Sequence, residues 1–262
     1  MSKKQKYTTR LGTGLGLVDE SIALLNLWEP EFDNGQFYHN ALKSGQFPNI
    51  SARRLKNIIK ESFAPRYLSN NCIPATVLKK LMNTVSLREL LQFMFLFTAR
   101  ANPILYDFVR QIYWPVYASG KDCLSNHEAR TFVESAIASG QTTSQWSEKV
   151  SKNVAGYLTG CCADYGLLEK GHKQVRRFKQ FTLNHRAAAF LSYDLHFSEF
   201  GDNAVLSHPD WALFGLQKED VRDELKRLSL KGFFIIQAAG DAIRIGWKYK
   251  SWEDLIDVIA KS

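Results

Sequence analysis

Cysteine is scarce in this chain of 262 residues, with four in all. Cys72, Cys123, Cys161 and Cys162 have neither metal-ligand spacing nor the density of a secreted disulfide scaffold, so they read as reduced packing residues. The histidines, His39, His127, His172, His185, His196 and His208, never fall at ligand intervals, and no serine sits in a nucleophile-elbow context. The acidic pairs Glu219-Asp220 and Asp223-Glu224 lie on a helix that needs a solvated face, with no third carboxylate or lysine at nuclease spacing. No constellation is left to which catalytic roles can be assigned. The expectation is a protein that is not an enzyme and that uses no metal, no cofactor and no small-molecule substrate.

Long apolar runs are missing too. The most apolar stretch, Leu90 to Ala99, is about half the ~20 residues a membrane-crossing helix needs, and Arg88, Glu89 and Arg100 flank it. It reads as a buried core helix. The basic start MSKKQKYTTR leads into no signal-type apolar segment before Asp19 and Glu20, so a cytoplasmic protein without a membrane partner is expected. No solenoid-type repeat is present. The run GTGLG, Gly12 to Gly16, lacks dinucleotide-fingerprint spacing, the Lys-Ser/Thr of a phosphate loop and a preceding strand, which argues against a nucleotide loop.

What is present is a foldable chain, 45% hydrophobic and 13% aromatic, long enough for one large or two modest domains. Basic residues outnumber acidic ones 34 to 26, a formal charge of +8. That surplus favours a polyanionic partner only where it is concentrated. The pattern predicts a mainly α protein of two helical domains with helix-turn-helix elements, the central one winged by short β-hairpins. The boundary is expected in Ala118 to Asn126, giving an N-terminal domain over 1–117 and a C-terminal domain over 127–262.

The central stretch, about 128–183, is the best patterned. Glu128 to Ser139 reads as a first helix closed by Gly140. Ser144 or Ser147 can then cap a second helix, whose apolar residues Val150, Val154, Leu158, Cys161, Tyr165 and Leu168 recur at helical steps. Its other face begins with Lys149, Lys152 and Asn153 and continues with the small residues Gly156 and Thr159, open to a ligand. Gly166 ends the helix. Leu167 and Leu168 begin an extended run that turns near Gly171, flanked by Lys170 and Lys173. On the return, Val175, Phe178 and Phe181 should form an apolar anchor side, with Arg176, Arg177 and Lys179 on a solvated cationic side. From Glu148 to Arg186 there are eight Lys or Arg against three Asp or Glu. A recognition helix followed by a cationic wing suits a phosphate backbone. A solvated hairpin or a protein-docking module would carry a similar pattern.

A second candidate helix-turn-helix covers about 35–63. Ser51 can cap a helix that buries Leu55, Ile58, Ile59 and Phe63 and turns Arg53, Arg54, Lys56 and Lys60 outward. Helices also run from about Leu17 to Trp28, Pro74 to Met82, Ser86 to Ala99 and Pro103 to Tyr113, with Pro115 following a helix end. Near the C-terminus, about 216–262, a helix lined by Val221, Leu225 and Leu228 stops at Gly232. A hairpin then turns at Ala239-Gly240-Asp241 and carries only Arg244 among its cations, which reads as a structural brace.

Three stretches together resemble the BrxA family of BREX phage-defence systems. They are Tyr7-Thr8-Thr9-Arg10-Leu11-Gly12, Gly16-Leu17-Val18-Asp19-Glu20-Ser21 and Ala163-Asp164-Tyr165-Gly166-Leu167-Leu168. The resemblance implies a mostly helical, non-enzymatic component that binds double-stranded DNA beside the other proteins of such a system. The alternatives are an adaptor that docks other defence proteins and an RNA-binding helical module. Steep salt dependence separates DNA binding from docking. Competition between duplex DNA and duplex RNA separates it from RNA binding, because the A-form major groove is too narrow for a helix.

Overall fold

The computed structural model describes residues 6–13, 15–171, 174–239 and 242–261. Lys173, one of the expected wing cations, lies outside them. The fold is mainly helical with two small antiparallel strand pairs, as the pattern implied. The chain packs as two compact units, Met1–Lys79 with Met94–Phe181, and Lys80–Phe93 with Thr182–Ser262.

In the first unit, helices α1 (Val18–Leu27) and α2 (Asn34–Lys43) lead to α3 (Ala52–Ile58), whose first amide hydrogen bonds go to caps. Asp33 accepts from Gly35 and Gln36 at the start of α2, and Ser51 accepts from Arg54 at the start of α3. The chain does not stop after α3. It runs through a π turn, Ile59–Phe63, into α4 (Ala64–Tyr67), which contains Pro65. A proline inside a helix lacks an amide hydrogen and collides with the carbonyl one turn back. Widening that turn, so that the Ala64 amide reaches Ile59 five residues earlier, lets the helix pass the proline.

The same device recurs further on. After α5 (Ile73–Leu81) and α6 (Leu87–Ala101), helix α7 (Pro103–Phe108) enters a π turn, Val109–Tyr113, and continues as α8 (Trp114–Ala118) around Pro115. The expectation that Pro115 follows a helix end is thereby corrected. The Trp114 amide bonds to the Val109 carbonyl, and the helix persists for five more residues.

Residues 118–126, read from sequence as a boundary, lie inside this first unit. There β1 (Cys123–Ser125) pairs antiparallel with β2 (Val175–Arg177), with Leu124 opposite Arg176. Between them run α9 (Asn126–Ala138) and α10 (Glu148–Asp164). Ser125 and Glu128 form a reciprocal capping box at the start of α9. Leu168 bridges to Phe178, and the Glu169 and Lys179 amides bond to the carbonyls of Arg177 and Leu167. The expected ribbon after Gly166 therefore forms, but its return strand also takes a partner from residues 123–125.

The second unit contains α11 (His185–Phe197), α12 (Asp202–Leu206), a 3₁₀ turn (Pro209–Phe214), α13 (Lys218–Leu230), the hairpin β3 (Phe234–Ala239) and β4 (Ala242–Trp247), and α14 (Trp252–Lys261). Its core gathers Phe190, Tyr193, Trp211, Phe234 and Ile245. In α6, every residue from Gln92 to Ala99 is buried. Among the described residues no helix is long and apolar enough to cross a membrane.

Candidate nucleic-acid interface

The hydroxyl of Ser147, not Ser144, caps α10 by accepting from the Val150 amide at 3.4 Å. Lys149, Lys152 and Asn153 are exposed on the first two turns, while Val154, Leu158, Cys161, Tyr165 and Leu168 are buried. The open face is shorter than the spacing suggested. Thr159 is buried and its hydroxyl donates to Asn126 Oδ1 at 2.7 Å, and Gly160 is covered by Leu15.

The covering comes from the N-terminal segment. A Cβ built on Gly12 would stand 2.6 Å from the Tyr157 ring, and one on Gly16 would stand 2.6 Å from Asp164 Cβ. The glycines of GTGLG that the structure describes thus permit close backbone approach to α10. The approach is tied down by the Gly16 amide on Asp164 Oδ2 at 2.9 Å and by the Tyr165 hydroxyl on the Gly16 carbonyl at 3.0 Å. Leu15 and Leu17 take left-handed backbone angles, φ 55° and 49°, which is costly for side-chain-bearing residues. Buried Arg66 offsets that cost by donating to the Leu15 and Gly16 carbonyls at 2.7 and 2.8 Å. Further back, Tyr7 exchanges backbone bonds with Gln141 and Thr143, and its hydroxyl donates to Asp107 at 2.5 Å.

Two grooves open on the uncovered part of α10. The larger, about 800 Å³, runs between Asn126, His127 and Arg130 at the start of α9 and Lys170, Gly171 and Arg176 of the ribbon, with Lys152, Asn153 and Gly156 along its floor. The smaller, about 610 Å³, has Ser51, Arg53, Arg54 and Asn57 of α3 facing Val150, Asn153 and Tyr157 of α10. Asn153 and Tyr157 line both. The two cationic helix starts, read from sequence as separate candidates, therefore border adjacent grooves with Asn153 and Tyr157 in common.

The remaining expected cations are placed as follows. Arg177, Lys179 and Lys170 are exposed on the ribbon. Lys56 and Lys60 are exposed on the α3 side, Lys56 with its ammonium 5.9 Å from the Tyr38 ring centre and Lys60 4.0 Å from Glu61. Neither lines a groove. Arg176 departs from its expected solvated face, being only 8% exposed, while Val175, expected as an anchor, is 47% exposed. Strand alternation explains both, because the residue opposite Leu124 must share its inward side.

The rim residues His127 and Arg130 were not singled out from sequence. Arg130 is held by Glu134 at 2.6 Å and Glu148 at 3.0 Å, so much of its charge is already answered. Burial raises the pKa of the Asp164 carboxyl, and the Gly16 amide and the charges of Lys170 and Arg176 oppose that rise. Among the described residues no three His, Cys, Asp or Glu side chains gather as a metal site.

A family model for BrxA matches residues 5–194. The chain belongs to the BrxA family. Membership in BrxA points to a component of a BREX-type phage-defence system. The match covers the Tyr7–Gly16 covering segment, both grooves and the ribbon, and ends within α11. The crystal structure of an uncharacterized protein from Magnetospirillum magneticum is similar at a TM-score of 0.57, with 13% identity over 73% of this BrxA-family chain and 95% of that one. At that identity the likeness shows the fold alone. No curated protein matches the chain.

Proposed function

We propose that this BrxA-family protein is a non-enzymatic accessory factor that binds double-stranded DNA through the composite surface formed by the starts of α10 and α3 and the ribbon after Gly166. The observation that carries this reading is the sharing of Asn153 and Tyr157 by the two grooves, which sets Lys152 beside Arg53 and Arg54, with Lys149 exposed on the same helix start. Strand–helix–helix–ribbon order, with exposed Arg177 and Lys179 on the return strand, supports reading the unit as a winged helix-turn-helix. In such a module a helix start enters the major groove while the wing follows the backbone. In this reading Lys149 and Asn153 reach base edges, and Arg53, Arg54, Arg177 and Lys179 neutralise phosphate.

Titration of labelled duplex DNA across a salt series tests this. Binding is expected without metal or nucleotide, with Kd of ~10⁻⁴ to 10⁻⁶ M at physiological salt if phosphate contacts dominate. Replacing Arg53 and Arg54 together by Gln should flatten the slope of log affinity against log salt by ~1.8, and replacing Arg177 and Lys179 should do the same. A composite surface requires both losses. If one pair has no effect while the other abolishes binding, the α3 start and the ribbon do not act together, and undetectable binding at low salt rejects DNA as the partner. Duplex RNA should compete poorly.

A further inference from the structure

Two arginines are buried in the first unit, and their surroundings differ. Arg66 is 2% exposed, spends two guanidinium nitrogens on the Leu15 and Gly16 carbonyls, and lines neither groove. Arg176 is 8% exposed and has one hydrogen bond, Nη1 to the Glu169 carbonyl at 3.0 Å. Its Nε is buried without a partner, as is that of Arg66, and Asp164, whose carboxyl feels its charge, makes no direct ion pair with it. A buried cation answered by one carbonyl and by a carboxylate it does not touch is costly to maintain. Yet Arg176 lines the 800 Å³ groove, so an anion entering that groove would reach it.

The groove is suited to such a guest. Among the described residues Lys152, Lys170 and Arg176 supply three cations, against which Asp164 is the one carboxylate lining it; Arg130 is already held by two glutamates. Asp164 is itself engaged by the Gly16 amide. Gln174 and Asn126 add amide groups, and the small residues Gly156 and Ala163 leave room above the floor. Volumes of ~300 to 1,000 Å³ are typical for small-molecule sites. A guanidinium presents a planar fork that matches phosphate oxygens, and a neighbouring ammonium adds charge for a dianion. A terminal or free phosphate group is compact enough to approach a guanidinium that is almost wholly covered.

We propose that the ribbon end of the α10 groove is a binding site for a phosphate monoester, held by the buried guanidinium of Arg176 and the ammonium of Lys170. Two sources carry that chemistry, a free phosphorylated small molecule and the 5′-terminal phosphate of a DNA strand. Because Lys152 and Asn153 belong both to this groove and to the proposed duplex-reading surface, an occupant of the site would meet DNA at that edge.

The test uses the full chain and inorganic phosphate, titrated calorimetrically at constant ionic strength against chloride. Saturable binding of one phosphate per chain is expected. Arg176→Met, which keeps the apolar stem, should weaken it at least ten-fold, and Lys170→Gln several-fold, while Arg244→Gln in the second unit leaves it unchanged. Lys170 is exposed, so its variant reports even if Arg176→Met folds poorly. No saturable phosphate binding by the wild type, or wild-type affinity in Lys170→Gln, overturns the proposal. Duplexes with 5′-phosphate and 5′-hydroxyl ends then assign the source. Tighter binding of the phosphorylated ends, lost in Arg176→Met, assigns the site to DNA termini, and equal binding of both assigns it to a free ligand. The phosphate titration contains no DNA, so its failure leaves the DNA-binding reading standing, and failure of DNA binding leaves the phosphate site standing.

Discussion

Helix α10 with its ribbon and helix α13 with its hairpin begin from the same local instruction. Each helix ends on a glycine in the left-handed conformation, Gly166 at φ 78° and Gly232 at φ 80°. Each closes with the same pair of backbone bonds, Gly166 to Ala163 and Leu167 to Cys162 in one, Gly232 to Ser229 and Phe233 to Leu228 in the other. This is the Schellman pattern, which satisfies carbonyls that the last turn leaves free. The segments that follow then diverge. After Gly232 the chain folds back on itself in six register pairs, Phe234 to Trp247 through Ala239 to Ala242. Tyr193, Phe234 and Trp247 make mutual ring contacts on its inner side, and Arg244 is exposed on the other. After Gly166 the return strand carries two arginines and pairs with β1, some fifty residues earlier in the chain. That second pairing turns Arg176 inward, so the cation lines a groove, whereas the inner side of the other hairpin packs aromatic rings and is tied to Asp202 and Asn203. One stop signal thus serves a packed brace in one case and a charged surface in the other, and the residues of the return strand decide which.

The largest effect expected from testing this contrast is at Tyr193. Its buried hydroxyl donates to the Phe233 carbonyl at 2.6 Å and accepts from the Lys248 and Tyr249 amides at 3.1 and 3.3 Å. Tyr193→Phe leaves those groups without their partner and should lower stability by ~1 to 3 kcal/mol in denaturant unfolding. DNA affinity measured well below the melting temperature should not change. A parallel loss of DNA affinity would mean that the second hairpin is more than a brace.

Next in size is the matched pair Gly166→Ala and Gly232→Ala. A Cβ at either position meets nothing within 4 Å, so the cost is that of the left-handed backbone alone, ~1 kcal/mol for each. Equal shifts in melting are therefore expected, with only Gly166→Ala disturbing the ribbon and weakening DNA binding. Unequal melting shifts would show that the two caps are not equivalent after all.

The smallest effect is a pH dependence confined to the hairpin unit. His196 stacks on Trp247 with ring centres 4.2 Å apart. Burial lowers its pKa, opposed by the charge of Asp202. A histidine whose folded pKa is depressed binds its proton less readily folded than unfolded. Its contribution is fully present above the unfolded value of ~6.5 and is lost as pH falls from there through the folded pKa. Thermal melts from pH 7.5 to 5 should show that decline in the wild type and less of it in His196→Phe. An unchanged slope in the variant would assign the decline to other groups, His185 among them, whose pKa burial also lowers.

Local signals in the sequence were sufficient for the helix starts and stops. Ser51, Gly166 and Gly232 act through bonds spanning three to five positions, so spacing alone reveals them, whereas spacing left Ser144 and Ser147 both open as the cap of α10. The helix at residues 185–197 was not legible in that way. Nine consecutive residues from Ala187 to Leu195 are buried, and a helix covered on all sides has no apolar stripe for periodicity to detect. Nor could spacing show that α7 would continue past Pro115, since a π turn is a response to the proline and not a pattern of its own.

The sequence by itself determined the helical class, the cationic character of the two helix starts and the ribbon, and the family to which the chain belongs. Tertiary structure alone decided which of those cations act together. The pairing of Cys123–Ser125 with Val175–Arg177 turned Arg176 inward, and the close approach of Gly12 and Gly16 to Tyr157 and Asp164 narrowed the open face of α10. The grooves that meet at Asn153 and Tyr157 joined residues 51–57 to residues 150–157. The reason is physical. Amphipathic spacing and capping are properties of a few adjacent residues, whereas strand partnership and close backbone approach depend on which distant segments the packed chain brings within van der Waals contact.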